Sequence, residues 1–237
     1  ARRASAIVAV SAGVAERLIR NGAPPALVHV IRNAMSSTSH IVDRAEARER
    51  LGRGSGQQIG WIGRLSSEKG PDVMLAAMAQ LADLDVNLSF VGDGPDLVGL
   101  TQRAEEMGIA ARIRFHGRVP AAGSLLRAFD VIALSSRTEG TPMVILEAMS
   151  SQVPIVATQV GGVPDMLSPT EALLVPPDNP TALANALRSA LADGAASAIR
   201  ASRAYERLIS EFDVDAWLAK YEALYRSIQP ANRKPNR

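Results

Sequence analysis

The chain has 237 residues, no cysteine and a formal charge of +2. Its 47% hydrophobic and 21% charged residues make a globular mix of one large or two small domains, which excludes a wholly disordered, collagen-like or coiled-coil chain. The missing cysteines exclude disulfides and thiolate chemistry and fit a reducing compartment, and the small net charge excludes a broad nucleic-acid grip.

The chain opens with Arg2-Arg3 and an uncharged stretch that imitates a secretory leader. Ser5, Ser11 and Gly13 interrupt it, and it reads better as a buried strand over 6–10 and a helix over 12–20. A strand over 28–31, a helix over 43–51 and the flexible linker Gly52-Arg53-Gly54-Ser55-Gly56 follow. From Gln57, short β-branched runs alternate with amphipathic stretches. Strands are expected over 59–63, 87–91, 113–116, 131–134, 154–158 and 173–175. Helices are expected over 71–81, 95–107, 124–129, 143–151 and 163–167. Pro71, Pro95 and Pro142 stand where helices begin, and Gly108 where one ends. Helices over 181–192, 199–211 and 213–228 close the fold, the last with Trp217, Tyr221, Leu224, Tyr225 and Ile228 on one stripe. The end, 229–237, reads as a flexible tail. The longest uncharged run, 148–164, falls short of the ~20 apolar residues that span a bilayer. The fold class is α/β: a doubly wound, Rossmann-like parallel sheet of about six strands, with helices on both faces and at the C-terminus.

In such a sheet ligands bind beyond the carboxyl ends of the strands, so the loops there carry the chemistry. Only three of the 26 basic residues are lysines, and one of them, Lys69, shares a loop with Arg64. Two cations in a loop that opens a helix can close on a diphosphate; the alternative is a solvated loop with an Arg64–Glu68 pair. Gly92-Asp93-Gly94 begins a dinucleotide fingerprint, but Leu97 stands where the third glycine belongs and no acid follows the next strand. The stretch 135–147 is the most informative. Glu139 lies in a loop and Glu147 on the helix after Pro142, with the N–H groups around Gly140 to Val144 between them. One carboxylate on each side of an anion position suits a phosphorylated, hydroxyl-rich ligand. Glu147 sits among apolar neighbours, where a carboxylate is costly to bury without a partner. His29, His40 and His116 are scattered, so neither a metal site nor a Ser/His/Asp triad is expected. Asp83-Leu84-Asp85 precedes a strand and reads as solvated charge at the opposite sheet end.

Five stretches together resemble the donor half of a retaining glycosyltransferase of family 4, group 1, with the GT-B fold. They are Gly63-Arg64-Leu65 with Glu68-Lys69-Gly70, Val91-Gly92-Asp93-Gly94-Pro95, Phe115-His116-Gly117-Arg118-Val119, Glu139-Gly140 with Glu147-Ala148, and Pro154-Ile155-Val156-Ala157 with Gly161-Gly162-Val163-Pro164. The resemblance implies catalytic roles for Arg64, Lys69 and Glu139, the cations on the diphosphate and the acid on the transferred sugar. It implies donor binding by Gly63, Arg118 and Val119 near the base, by Gly140, Thr141 and Pro142 along the sugar and phosphates, and by Glu147 on the ribose. It implies a UDP- or GDP-linked sugar as substrate, no cofactor and no metal, transfer of a hexosyl group and a place in carbohydrate biosynthesis.

The expected domains are 1–56, a remnant of an acceptor domain with the interdomain crossover; 57–228, the nucleotide-sugar-binding domain; and 229–237, the tail. The family's Asn-Gly in the crossover is Asn33-Ala34 here. The expectation is therefore a truncated enzyme. It partners a nucleotide sugar, an unidentified acceptor and an N-terminal acceptor domain, and it binds donor weakly and transfers little alone. No nucleic acid and no transmembrane segment are expected, and the location is cytoplasmic with peripheral contact at the inner membrane face. Two alternatives stand beside it: a non-catalytic nucleotide-sugar-binding or interaction module, and an NAD-dependent oxidoreductase, opposed by Leu97 and the missing acid.

Overall fold

Two short strands, β1 (Ile7–Ala9) and β2 (Val28–Val30), pair in parallel around the helix α1 (Ala12–Arg20). Ser11 caps α1, its side chain accepting from the Val14 N–H. The structure, a computed structural model, describes residues 4–36, 41–52 and 56–228. The centre of the expected linker, the tail and His40 lie outside the described residues. The next helix, α2 (Arg44–Arg50), is capped by Asp43, which accepts from the Ala45 and Glu46 N–H groups.

The remaining strands are β3 (Gln57–Ile62), β4 (Val86–Val91), β5 (Ile113–Phe115), β6 (Val131–Leu134), β7 (Ile155–Thr158) and β8 (Leu173–Val175). They form one parallel sheet in the order β5-β4-β3-β6-β7-β8. The helices are α3 (Pro71–Ala79), α4 (Leu97–Glu106), α5 (Met143–Ser151), α6 (Val163–Met166), α7 (Pro180–Ala192), α8 (Gly194–Glu211) and α9 (Val214–Ile228). Helices α3, α4 and α7 cover one face, where Leu75, Met78, Leu88 and Phe90 are buried. Helices α5, α6 and α8 cover the other, over Ile132, Leu146, Met149 and Leu208. Strands covered on both faces are mostly apolar, and all four residues of β6 and of β7 are buried, Thr158 with its hydroxyl bonded to the Ser136 carbonyl. The chain reverses its winding between β3 and β6, so the crevice at their carboxyl ends is the topological switch point.

The observed elements differ from the expected ones at several ends: β3 runs from Gln57 to Ile62 rather than over 59–63, and α3 ends at Ala79 rather than 81. Pro95 stands in a turn, and α4 begins two residues later at Leu97. Pro142 is the N-cap of α5 rather than its first residue. The helix expected over 124–129 is a 3₁₀ turn, Ala122–Ala128, entered by Ala121 at a φ of 52°. Helix α8 begins at Gly194, because Asp193 accepts from the Ala196 N–H and caps a first turn that carries no apolar period. Gly108 does end α4, at a φ of 67°. At the C-terminus only Leu224 of α9 is buried, and the Trp217 and Tyr221 rings meet at 4.7 Å.

Candidate functional site

The loop after β3, from Gly63 to Gly70, and the loop after β6, from Ser135 to Pro142, lie against each other at the switch point. Gly70 makes the approach with a φ of 63°, and a Cβ there would fall 2.1 Å from the Ser135 carbonyl oxygen. On the far side Gly161, at a φ of 53°, would place a Cβ 1.9 Å from the Glu139 carbonyl oxygen. Gly92 and Gly94 pack in the same way on the carbonyls of Gly63 and Leu65, so this glycine pair serves loop packing.

Lys69, Glu139 and Glu147 line one cavity of about 240 Å³, together with Gly63, Ser136, Pro142 and the first residues of α5. Lys69 Nζ lies 2.7 Å from Glu139 Oε1, and Ser136 Oγ donates to the same oxygen at 2.7 Å. The Glu139 side chain is 5% exposed and that of Lys69 30%. Burial of a carboxylate is tolerable only with such partners. Ser136 is held in turn, its carbonyl accepting from Thr158 Oγ1 at 2.7 Å.

Glu147 faces the cavity from the second turn of α5, half-buried and with no hydrogen-bond or ion-pair partner among the described residues. Burial pushes its carboxyl pKa up from the ordinary value of 4.5. It also borders a neighbouring concavity with Gly123, Ser124, Met35 and Val42. A Cβ on Gly123 would come 2.6 Å from the Glu147 carboxyl carbon, so only glycine lets the 3₁₀ turn pass this side chain undisturbed.

Arg64 is exposed and does not line the cavity of Lys69. It lines the adjoining concavity of about 610 Å³ with Gly63, Asp93 and Arg118, so Gly63 is the wall the two spaces share. The alternative Arg64–Glu68 pair does not form among the described residues; Glu68 accepts from Ser66 Oγ instead, and that bond holds its pKa down. Arg118 is 88% exposed and 3.8 Å from Asp93, and Val119 is half-buried against the core. Gly140 packs on Val10, and Thr141 Oγ1 donates to the Val10 carbonyl. The Thr141 carbonyl accepts from Asn33 Nδ2 at 3.2 Å. The segment before α2 is thereby fastened to the loop that carries Glu139. No group of three or more His, Asp or Glu side chains placed to hold a metal ion occurs among the described residues. No helix among them is long and apolar enough to cross a membrane.

Sequence reasoning missed Ser136 and Gly123. Ser136 carries a local signal, three residues before Glu139; the contact of Gly123 with Glu147 is tertiary and has none. A further cavity, of about 430 Å³, lies at the opposite end of the strands, beside the amino ends of β3, β6 and β7, lined by Arg44, Arg127, Asp130 and Gln152.

The doubly wound parallel sheet, with helices on both faces, is shared with its structural neighbours, which are glycosyltransferases of the GT-B fold. Residues 56–193 match the family model described as glycosyl transferases group 1, and the chain belongs to that family. It is 36% identical over 165 residues to D-inositol 3-phosphate glycosyltransferase of Corynebacterium glutamicum, covering 64% of this chain and 40% of that one. It is 32% identical over 219 residues to 2-deoxystreptamine glucosyltransferase of Streptomyces kanamyceticus, covering 90% of this chain and 55% of the relative. Among solved structures, Anabaena Alr3699/HepE in complex with UDP-glucose superposes with a TM-score of 0.90 at 27% identity, over 95% of this chain and 65% of that one. The chain thus spans about half the length of its curated relatives, or less.

Proposed function

We propose that this chain is the donor half of a retaining, family 4 glycosyltransferase that takes a UDP- or GDP-linked sugar and moves its hexosyl group to an acceptor hydroxyl. The observation that carries this reading is the single cavity at the ends of β3 and β6 in which Lys69, Glu139 and Glu147 meet. In the reaction the bond from the anomeric carbon to the diphosphate breaks, the acceptor oxygen takes its place on the same face, and the acceptor hydroxyl's proton passes to the departing diphosphate. Negative charge grows on the departing diphosphate. Lys69 from the cavity, and Arg64 from the concavity beyond Gly63, offset it, with no metal ion required of the site. Glu139 holds hydroxyls of the sugar and sets Lys69 in place. Gly140, Thr141 and Pro142 border the sugar and phosphates, and the start of α5 presents N–H groups to the anion. Glu147 accepts from the ribose hydroxyls, and Arg118 and Val119 border the base.

Residues 1–56 stand, on this reading, for the end of an acceptor domain and the crossover, and 57–228 for the donor domain. The bonds from Asn33 and Thr141 across to each other's segments support that division of labour. The acceptor wall of the cleft comes from a domain outside this chain, with peripheral membrane contact a property of the whole enzyme in the cytoplasm. The chain alone then binds donor weakly and transfers little.

Calorimetric titration with UDP, GDP, ADP and NAD tests the reading. UDP or GDP is expected to bind, and Lys69→Ala or Arg64→Ala to weaken it about 10-fold, the value of one charged hydrogen bond. Binding of NAD alone, or nucleotide affinity unchanged in both variants, would overturn it.

A further inference from the structure

Two residues, Ser135 and Arg137, hold the backbone of the cationic loop, and neither lines the cavity of Lys69. Between them Ser135 and Arg137 take all four carbonyls from Ser67 to Gly70. Arg137 donates to the Ser67 carbonyl at 2.5 Å through its side chain and to the Glu68 carbonyl at 2.9 Å through its backbone. Ser135 Oγ reaches the carbonyls of Lys69, at 3.3 Å, and Gly70, at 2.6 Å. Ser135 is itself fixed by Trp61, whose Nε1 donates to its Oγ at 2.9 Å.

Arg137 does more than close this contact. Its guanidinium grips Asp72, at the start of α3, with two parallel bonds of 2.9 and 2.8 Å. Its Nε donates to Asp178 at 2.6 Å, in the loop after β8, where Asp178 holds a φ of 52°. One side chain therefore joins the loops after β3, β6 and β8. A planar guanidinium can satisfy all of these acceptors at once, and an ammonium cannot. The side chain does not line the cavity of Lys69 and Glu139; it borders an outer concavity with Ser67, Asp72 and Arg103. Its hydrogen bond also keeps the Asp72 carboxyl below its ordinary pKa.

We propose that Arg137 is a positioning residue for the donor diphosphate: by holding the 67–70 backbone to the 135–139 loop it sets Lys69 opposite Glu139, without touching the ligand. The inference rests on the donor-site reading above. The purely structural alternative is that Arg137 anchors the surface of the fold and bears on the ligand no more than any other surface pair.

Titrations of wild type, R137A, K69A and the double variant with UDP and with uridine separate the two, alongside amide exchange of residues 67–70 without ligand. R137A is expected to weaken UDP about 10-fold while leaving uridine within about twofold. In the K69A background the same change is expected to cost less than about twofold more, because the two residues act on one contact. Amides 67–70 are expected to exchange about 10-fold faster in R137A. UDP affinity within about twofold of wild type, equal losses for UDP and uridine, or full additivity with K69A would each overturn the proposal. Should R137A not fold, R137K serves: it keeps the charge but not the fork, and is expected to weaken UDP at least about threefold. If wild type itself binds no UDP, the donor-site reading falls, and amide exchange still decides whether Arg137 holds the loop.

Discussion

The two ends of the cavity between β3 and β6 are built in opposite ways. At one end Glu139 is buried and partnered, with Lys69 and Ser136 both on one carboxylate oxygen. At the other Glu147 stands half-buried on α5 with no partner among the described residues, its pKa raised by burial alone. The first end is assembled before any ligand arrives and contributes to stability. The second carries a desolvation cost that stability alone would remove, and a hydroxyl-bearing ligand would offset it. On the proposed reading, this carboxylate on an apolar helix face is where the ligand's hydroxyls sit.

The sharpest way to break this comparison is to remove one partner at the engaged end. Lys69→Met leaves Glu139 buried with Ser136 only. It is expected to cost about 2–3 kcal/mol of stability, the low side of a broken buried pair because Lys69 keeps some contact with water. Urea unfolding at pH 7 measures this. A loss under about 0.5 kcal/mol would place the pair among screened surface contacts and erase the contrast.

A smaller change of opposite sign is expected at the other end. Because the folded state raises the Glu147 pKa, it favours the protonated form. The Glu147 contribution is therefore most favourable below the unfolded value near 4.5, declines as pH rises towards the folded value, and stays flat above it. Glu147→Gln is expected to raise stability at pH 7.5, to change it little at pH 4, and to weaken UDP more than inorganic pyrophosphate. Urea midpoints at the two pH values and paired titrations check this; a less stable variant at pH 7.5, or equal loss of both ligands, would count against an idle carboxylate kept for ribose.

The least effect belongs to a pair that faces neither end. Glu222 and Arg226, four residues apart on α9, are 64% and 79% exposed. Glu222→Ala is expected to change stability by no more than about 0.5 kcal/mol and donor binding not at all, which sets the background against which the other two are read.

Much of this was legible in the residues because the sheet is buried on both faces. The runs 131–134 and 173–175 match β6 and β8 to the residue, since both are wholly apolar and a serine or proline loop follows each. The five-residue delay at α8 came from Gly194-Ala195-Ala196, a first turn set by the Asp193 cap rather than by apolar spacing. The E-x7-E spacing placed Glu139 in a loop and Glu147 on a helix. It could not say that one would be paired and the other idle, because the deciding partner, Lys69, lies 70 residues away. The Arg137 bonds to Ser67 and Asp72 and the fit of Gly123 under Glu147 are likewise tertiary, formed only once β3 and β6 lie side by side.

The central claim is that one nucleotide diphosphate lies along this cavity, phosphate towards Lys69 and ribose towards Glu147. A crystal structure of the chain with UDP, or with GDP if that binds more tightly, tests it most directly. The account predicts diphosphate oxygens about 3 Å from Lys69 Nζ and ribose hydroxyls at the same distance from the Glu147 carboxylate. A nucleotide seated instead at the amino ends of β3 and β6, between Arg44 and Arg127, would contradict it.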